Sequence, residues 1–167
     1  MTIQDTIAVP YSVMKDYLRG NPTNRINSMA NRYDKVWIIS ITNPFTSTST
    51  DNLPPLVQDG EDRIALQFHD VEADYEDYDP GAIPFDRIMA DKVVSFLKKA
   101  NQQDSNDLLV VNCHMGISRS GAISFFARSV FGIDYSNWKR MNPQVIPNGL
   151  VLELLHHAWG KSTQIQC

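Results

Sequence analysis

The feature that most restricts the fold of this chain is a four-residue apolar run, Leu108-Leu109-Val110-Val111. It passes without a break into Asn112-Cys113-His114-Met115-Gly116-Ile117-Ser118-Arg119-Ser120-Gly121. A short, continuously apolar run bounded by polar residues is the pattern of a central strand in a parallel sheet covered on both faces. From Ser120 onward, SGAISFFARSVFG has helical spacing and ends at Gly132, a C-cap residue. Buried strand, tight loop and helix therefore follow one another, which predicts an α/β fold with a central, mostly parallel sheet flanked by helices.

The rest of the chain fits that frame. Lys35 to Ile41 (KVWIISI) is apolar and β-branched and stops at Thr42-Asn43-Pro44, a turn signal, so it reads as a buried strand. Ile64 to Phe68 (IALQF) reads as a second, and the segment between them, Thr46 to Gly60, as a surface loop rich in Ser, Thr, Asn and Pro. Asp70 to Asp79 (DVEADYEDYD) is too acidic to be a core strand. Phe85, Ile88, Met89, Lys92, Val93, Phe96 and Leu97 fall at three-and-four spacing, predicting a helix opened by Pro84 and closed by Lys98-Lys99. Further helices are expected from Asp134 to Met141, capped by Asp134, and from Asn148 to about Trp159, capped by Asn148. The His156-His157 pair reads as a helix-end feature. With 167 residues and neither repeat nor clear linker, residues 1–167 are expected to form one domain.

Composition narrows the chemistry. Cys113 and Cys167 are the only cysteines, so any thiol function rests on one sulfur rather than on a disulfide framework. His69, His114, His156 and His157 lack paired zinc spacing, so neither metal nor other cofactor is expected. A net charge of -4 weighs against nucleic acid as partner. With no apolar run of membrane-spanning length and no signal-peptide pattern at MTIQDTIAVPYS, the expectation is a cytoplasmic chain without a membrane partner.

Within the loop, Cys113 and Arg119 are separated by five residues. A loop folded over a helix start turns several backbone N–H groups inward, a concave site for a tetrahedral dianion. Gly116 permits the left-handed angles such a turn needs, and Arg119 can grip two phosphoryl oxygens through its planar fork. The same positive field lowers a thiol pKa, leaving Cys113 a nucleophile at neutral pH. His114, Met115, Gly116, Ile117, Ser118 and Arg119 are thus the expected substrate-binding residues. Phosphate or another oxyanion is the expected occupant.

Cys-His-Met-Gly-Ile-Ser-Arg-Ser-Gly resembles the signature loop of the protein tyrosine phosphatase superfamily, nearest to its dual-specificity branch and related small bacterial and viral enzymes. The resemblance implies the cysteine-dependent phosphatase fold, a nucleophilic Cys113, a phosphate-clamping Arg119, and a Ser120 hydroxyl that eases departure of the thiolate. For a viral source it also places the chain in the host cytoplasm. Asn142-Pro143-Gln144-Val145-Ile146-Pro147-Asn148 is similar to the segment that follows the loop in those enzymes, where the Asn supports the loop. The chain departs from the pattern at Asn112, where the family has His, and an amide there donates hydrogen bonds without carrying charge. His114 reads as a loop side chain rather than a replacement.

Expelling an alkoxide or phenoxide from phosphorus calls for a proton, and Asp70, directly after the Ile64 to Phe68 strand, is the first candidate to supply it, with Asp74 the second. Phe68-His69-Asp70-Val71-Glu72 resembles the family's acid-bearing segment. Enzymes resembling inositide phosphatases carry lysines inside the loop, and the absence of lysine here makes that resemblance disfavour inositide substrates; the acidic run and overall charge disfavour RNA ends. A phosphorylated protein, carrying phosphotyrosine and also phosphoserine or phosphothreonine, is the expected substrate. An acidic Asp70 to Asp79 segment near the site would favour basic flanks. Two other classes stay open: a phosphate-binding module without turnover, and thiol redox or sulfur transfer through Cys113.

Overall fold

The computed structural model describes residues 3–45, 52–72 and 81–164. Three strands stand within two residues of their predicted bounds: β2 (Lys35–Thr42), β3 (Arg63–Gln67) and β4 (Asp107–Cys113), with β1 (Ile3–Pro10) added before them. β1 was not predicted, because its first half carries Gln4, Asp5 and Thr6 and only Ile7-Ala8-Val9 reads as apolar. The order is β1-β4-β2-β3 and every pairing is parallel, so β4 lies inside the sheet with Val111 between Ala8 and Ile39. All four carboxyl ends therefore meet along one rim, where open α/β sheets bind their ligands.

Alternation along β4 divides the core. Leu109, Val111 and Cys113 join the larger cluster with α3 (Arg87–Asn101), α4 (Arg119–Val130), α5 (Tyr135–Met141) and α6 (Gly149–Gln164). Leu108 and Val110 face the other way, toward Met14 of α1 (Tyr11–Leu18) and Ile26 of α2 (Arg25–Ala30). Each fully buried aliphatic side chain contributes about 1.5–3 kcal/mol, and β4 supplies them on both faces. Among the described residues, no helix is long and apolar enough to cross a membrane.

Several helix expectations need correcting. α3 starts at Arg87, not Pro84, because the Asp86 carboxylate caps it, accepting from Met89 N at 2.8 Å. Phe85 is buried outside the helix against Phe68, with ring centroids 4.9 Å apart, while Ile88 is 79% exposed and off the core stripe. Asp134 and Asn148 do cap α5 and α6, accepting from Asn137 N at 3.0 Å and Val151 N at 3.0 Å. α6 continues past Trp159, so His156 and His157 are mid-helix, and His156 packs edge-on to Phe126. Gly132, at φ 69°, follows α4 in the left-handed conformation, and Ile133 N returns to Arg128 O at 2.9 Å.

Side chains close the free edge of β1. Asn142, fully buried, accepts from Ala8 N at 2.8 Å and donates to Thr6 O at 3.0 Å, taking the place of a neighbouring strand. Gln144 Nε2 donates to Ala8 O at 3.0 Å and to Gly116 O at 3.1 Å, tying that edge to the loop after β4.

Candidate active site

The loop after β4 turns at Gly116, whose φ is 72°. A Cβ there would lie 2.5 Å from the Val9 carbonyl carbon and 2.6 Å from Pro10 N, so the end of β1 leaves no room for a side chain. Tyr11 N donates to His114 O at 3.1 Å, and on the opposite side Ile146 N and Asn148 N donate to Ile117 O and Ser118 O, each at 3.1 Å. Gly121 brings α4 against Val145, where a Cβ would meet Cγ1 at 2.6 Å. The loop is thus gripped from both flanks before any ligand arrives.

Cys113 is 3% exposed, and its Sγ receives the Gly116 N–H at 3.3 Å and lies 3.1 Å from the Ser120 hydroxyl. Burial is the largest influence on this thiol and pushes its pKa up. The Ser120 hydroxyl and amide, the Arg119 charge and the Gly116 amide act the other way and together leave it below the ordinary thiol value. Part of this is helix-end chemistry: Ser118, the N-cap of α4, makes no side-chain cap bond, so the first amides of that helix stay available to sulfur and to an anion.

Arg119 is 6% exposed, and its Nη1 donates to Asn43 Oδ1 and to the Phe68 carbonyl, both at 2.7 Å. One end of the fork is therefore anchored, which leaves Nε and Nη2 for two oxygens of a dianion. In the sequence Asn43 reads only as a turn residue after β2. Nothing in its local pattern points to an arginine 76 positions away.

Asp70 is exposed and lies over the loop. Its Oδ1 accepts from Ser118 Oγ at 2.9 Å and from Asn148 Nδ2 at 2.7 Å. Ser118 spends its hydroxyl on this carboxylate rather than on capping α4. Asn148 also donates to Val71 O at 3.1 Å, and Glu72 Oε2 accepts from Gly149 N at 3.1 Å, so the acid-bearing segment is stapled to the start of α6. The side chain of Asn148 thus serves the Asp70 segment, while its backbone supports the loop. Asp74 and the acids at 76, 77 and 79 lie outside the described residues.

Asn112 is fully buried and points away from the sulfur, flanked by Val9 and Ser40 in the register. Its Nδ2 reaches Cys113 O at 3.4 Å, and its Oδ1 has no partner among the described residues. His114 and Met115 are exposed, and Ile117 and Ser118 are half-buried. The structure brings together Cys113, Gly116, Arg119 and Ser120 around one sulfur and Ser118, Asp70 and Asn148 around one carboxylate. Chemically, this arrangement holds a thiol with a pKa below its ordinary value beside backbone amides and an anchored guanidinium, with a carboxyl group at the rim.

No protein-family profile and no curated protein matches the sequence. In fold, the chain is similar to human DUSP28 at 13% identity, covering 99% of this chain and 98% of that one with a TM-score of 0.49. It is also similar to the Cydia pomonella PTP-2 phosphatase at 18% identity, covering 96% and 88% with a TM-score of 0.46.

Proposed function

We propose that the chain is a cysteine-dependent protein phosphatase that hydrolyses phosphotyrosine, with phosphoserine and phosphothreonine as further substrates. The observation that carries this reading is the Cys113 sulfur at the start of α4, 3.1 Å from the Ser120 hydroxyl and 3.3 Å from the Gly116 N–H, in a loop that ends at the anchored Arg119; these neighbours hold its pKa down despite burial. A buried structural cysteine would have its pKa raised instead.

In the first step the Cys113 thiolate attacks phosphorus in line, forming the S–P bond as the P–O bond to the leaving group breaks. Loop amides and the free side of Arg119 bind the equatorial oxygens. Asp70 serves as the acid that gives a proton to the departing oxygen. In the second step water attacks the cysteinyl phosphate, its proton passes to the Asp70 carboxylate, and Cys113 leaves as thiolate. The Ser120 hydroxyl, 3.1 Å from Sγ, stabilises that departing sulfur. Inorganic phosphate is released and every group returns to its starting state.

The test is hydrolysis of an aryl phosphate without added metal. Activity lost in Cys113→Ser and blocked by vanadate supports the reading. Tight phosphopeptide binding with no turnover by the unaltered chain would replace it with a phosphate-binding module.

A further inference from the structure

The two edges of the sheet are satisfied differently. On β1 the outward groups Thr6 C=O, Ala8 N–H and Ala8 C=O are taken by Asn142 and Gln144. On β3, Ile38 N donates to Asp62 O and Phe68 N to Thr42 O, so Arg63, Ala65 and Gln67 turn their backbone groups outward. Arg63 O accepts from Gly60 N at 2.8 Å. Ala65 N donates to Asp59 Oδ1 at 2.9 Å and Ala65 O accepts from Lys92 Nζ at 3.0 Å, with Asp59 and Lys92 themselves 2.7 Å apart. The outward N–H and C=O of Gln67, an exposed residue, have no partner among the described residues. An unpaired edge position is a template for another strand.

That position opens onto a groove leading toward the phosphate loop. Gln67 and Pro55 line both a hollow along β3 and the next one, which holds Asn43 and Phe45. Beyond Asn43 and Leu53 it narrows to a crevice of about 10 Å³ beside His114, so the groove ends at Asn43. Asn43 is also the residue bonded to Arg119. The groove thus runs from one unsatisfied backbone donor and acceptor to the residue that anchors Arg119, past an apolar wall of Pro55, Leu53 and a Phe45 that is 80% exposed.

We propose that this groove takes the extended backbone of the substrate polypeptide on one side of its phosphorylated residue, and that this backbone pairs with the N–H and C=O of Gln67. The inference rests on the phosphatase reading and narrows its substrate class to peptide in strand conformation. It is β-strand addition limited to a single residue, because Asp59 and Lys92 occupy the next outward position. A small aryl phosphate fills the anion site alone, whereas a peptide engages the groove as well.

The experiment compares phosphotyrosine peptides lengthened residue by residue on either side, against 4-nitrophenyl phosphate. The quantity read is the ratio of kcat/KM between long and minimal substrate, taken within each protein variant. Lengthening on one side only raises that ratio by about tenfold, the worth of one or two backbone hydrogen bonds. Replacing single peptide amides on that side by esters or N-methyl amides removes the gain at one position and spares its neighbours. Gln67→Pro, allowed on an edge strand but lacking the N–H, lowers the ratio, and Gln67→Ala keeps it. Equal gains on both sides, no gain, or a gain insensitive to every amide replacement overturns the proposal. If 4-nitrophenyl phosphate is not hydrolysed, the phosphatase reading fails by itself. The groove is then judged by affinities of the same peptides for Cys113→Ser, where loss of the one-sided length and amide dependence overturns it.

Discussion

Asn148 Nδ2 and Asp70 Oδ1 lie 2.7 Å apart, joining the first residue outside α6 to the segment that leaves β3. The same amide caps α6 through its oxygen, so one side chain sets both where the helix begins and where the carboxyl group sits. Asp70→Asn should lower kcat by about a hundred- to ten-thousand-fold on alkyl phosphates and less on 4-nitrophenyl phosphate, whose leaving group needs no proton. Asn148→Ala should reproduce the leaving-group dependence in weaker form. Loss of the cap should cost it about 1 kcal/mol of stability in denaturant titration. Equal losses on both substrates would remove Asp70 from the acid role.

The lowered Cys113 pKa has a sign that can be read directly. A thiol whose pKa is depressed stays ionised as pH falls, so alkylation by iodoacetamide should reach half its maximal rate below the ordinary value of ~8.5. Ser120→Ala removes a donor to the sulfur and should move that midpoint upward, with the acid limb of kcat/KM following it. A midpoint unmoved by Ser120→Ala would leave the hydroxyl without a part in ionising the thiol.

Asn43 holds one end of the Arg119 guanidinium. Asn43→Ala frees one end of the guanidinium and should raise KM and the vanadate inhibition constant by about tenfold, the scale of one hydrogen bond to a charged group. Arg119→Lys should lose much more, since a lysine cannot hold two oxygens and the Phe68 carbonyl together. Steady-state kinetics of the two variants side by side would check the order.

Gly116 and Gly132 make a matched pair, at φ 72° and 69°. A Cβ on Gly132 meets nothing within 4 Å, so Gly132→Ala should cost about 1 kcal/mol, from backbone strain alone. Gly116→Ala adds overlap with the Val9 and Pro10 backbone and should cost clearly more, with loss of activity, because the loop must shift. Comparable midpoints in urea for the two variants would contradict the packing argument.

How much could be read before the fold was known depended on how far apart the cooperating residues are. β4, the loop and α4 are contiguous, and the change from an apolar run to a glycine turn to helical spacing is local, so Cys113, Arg119 and Ser120 could be singled out together. Asp70 and Asn148 each stand out in the sequence, but the bond between them spans 78 positions and has no local trace. Asn43, Asn142 and Gln144 read only within turn or motif patterns, because their work is to satisfy groups far away in the chain: the Arg119 guanidinium, the β1 backbone and the Gly116 carbonyl. β1 escapes for the same reason: three of its eight residues are polar, and what makes it a strand is β4 beside it and Asn142 on its outer side.

That reliance of β1 on later residues has a temporal side. Ala8 is held by Asn142, 134 positions on, and Ile3 is paired with Asp107. During synthesis at about 5–20 residues per second, the first strand emerges many seconds before its neighbours exist. Ile7 and Val9 must stay unpaired and exposed through that interval. The loop after β4, which rests on Val9 and Pro10 and is held from the other side by Ile146 and Asn148, can take shape only after the ribosome has passed Asn148.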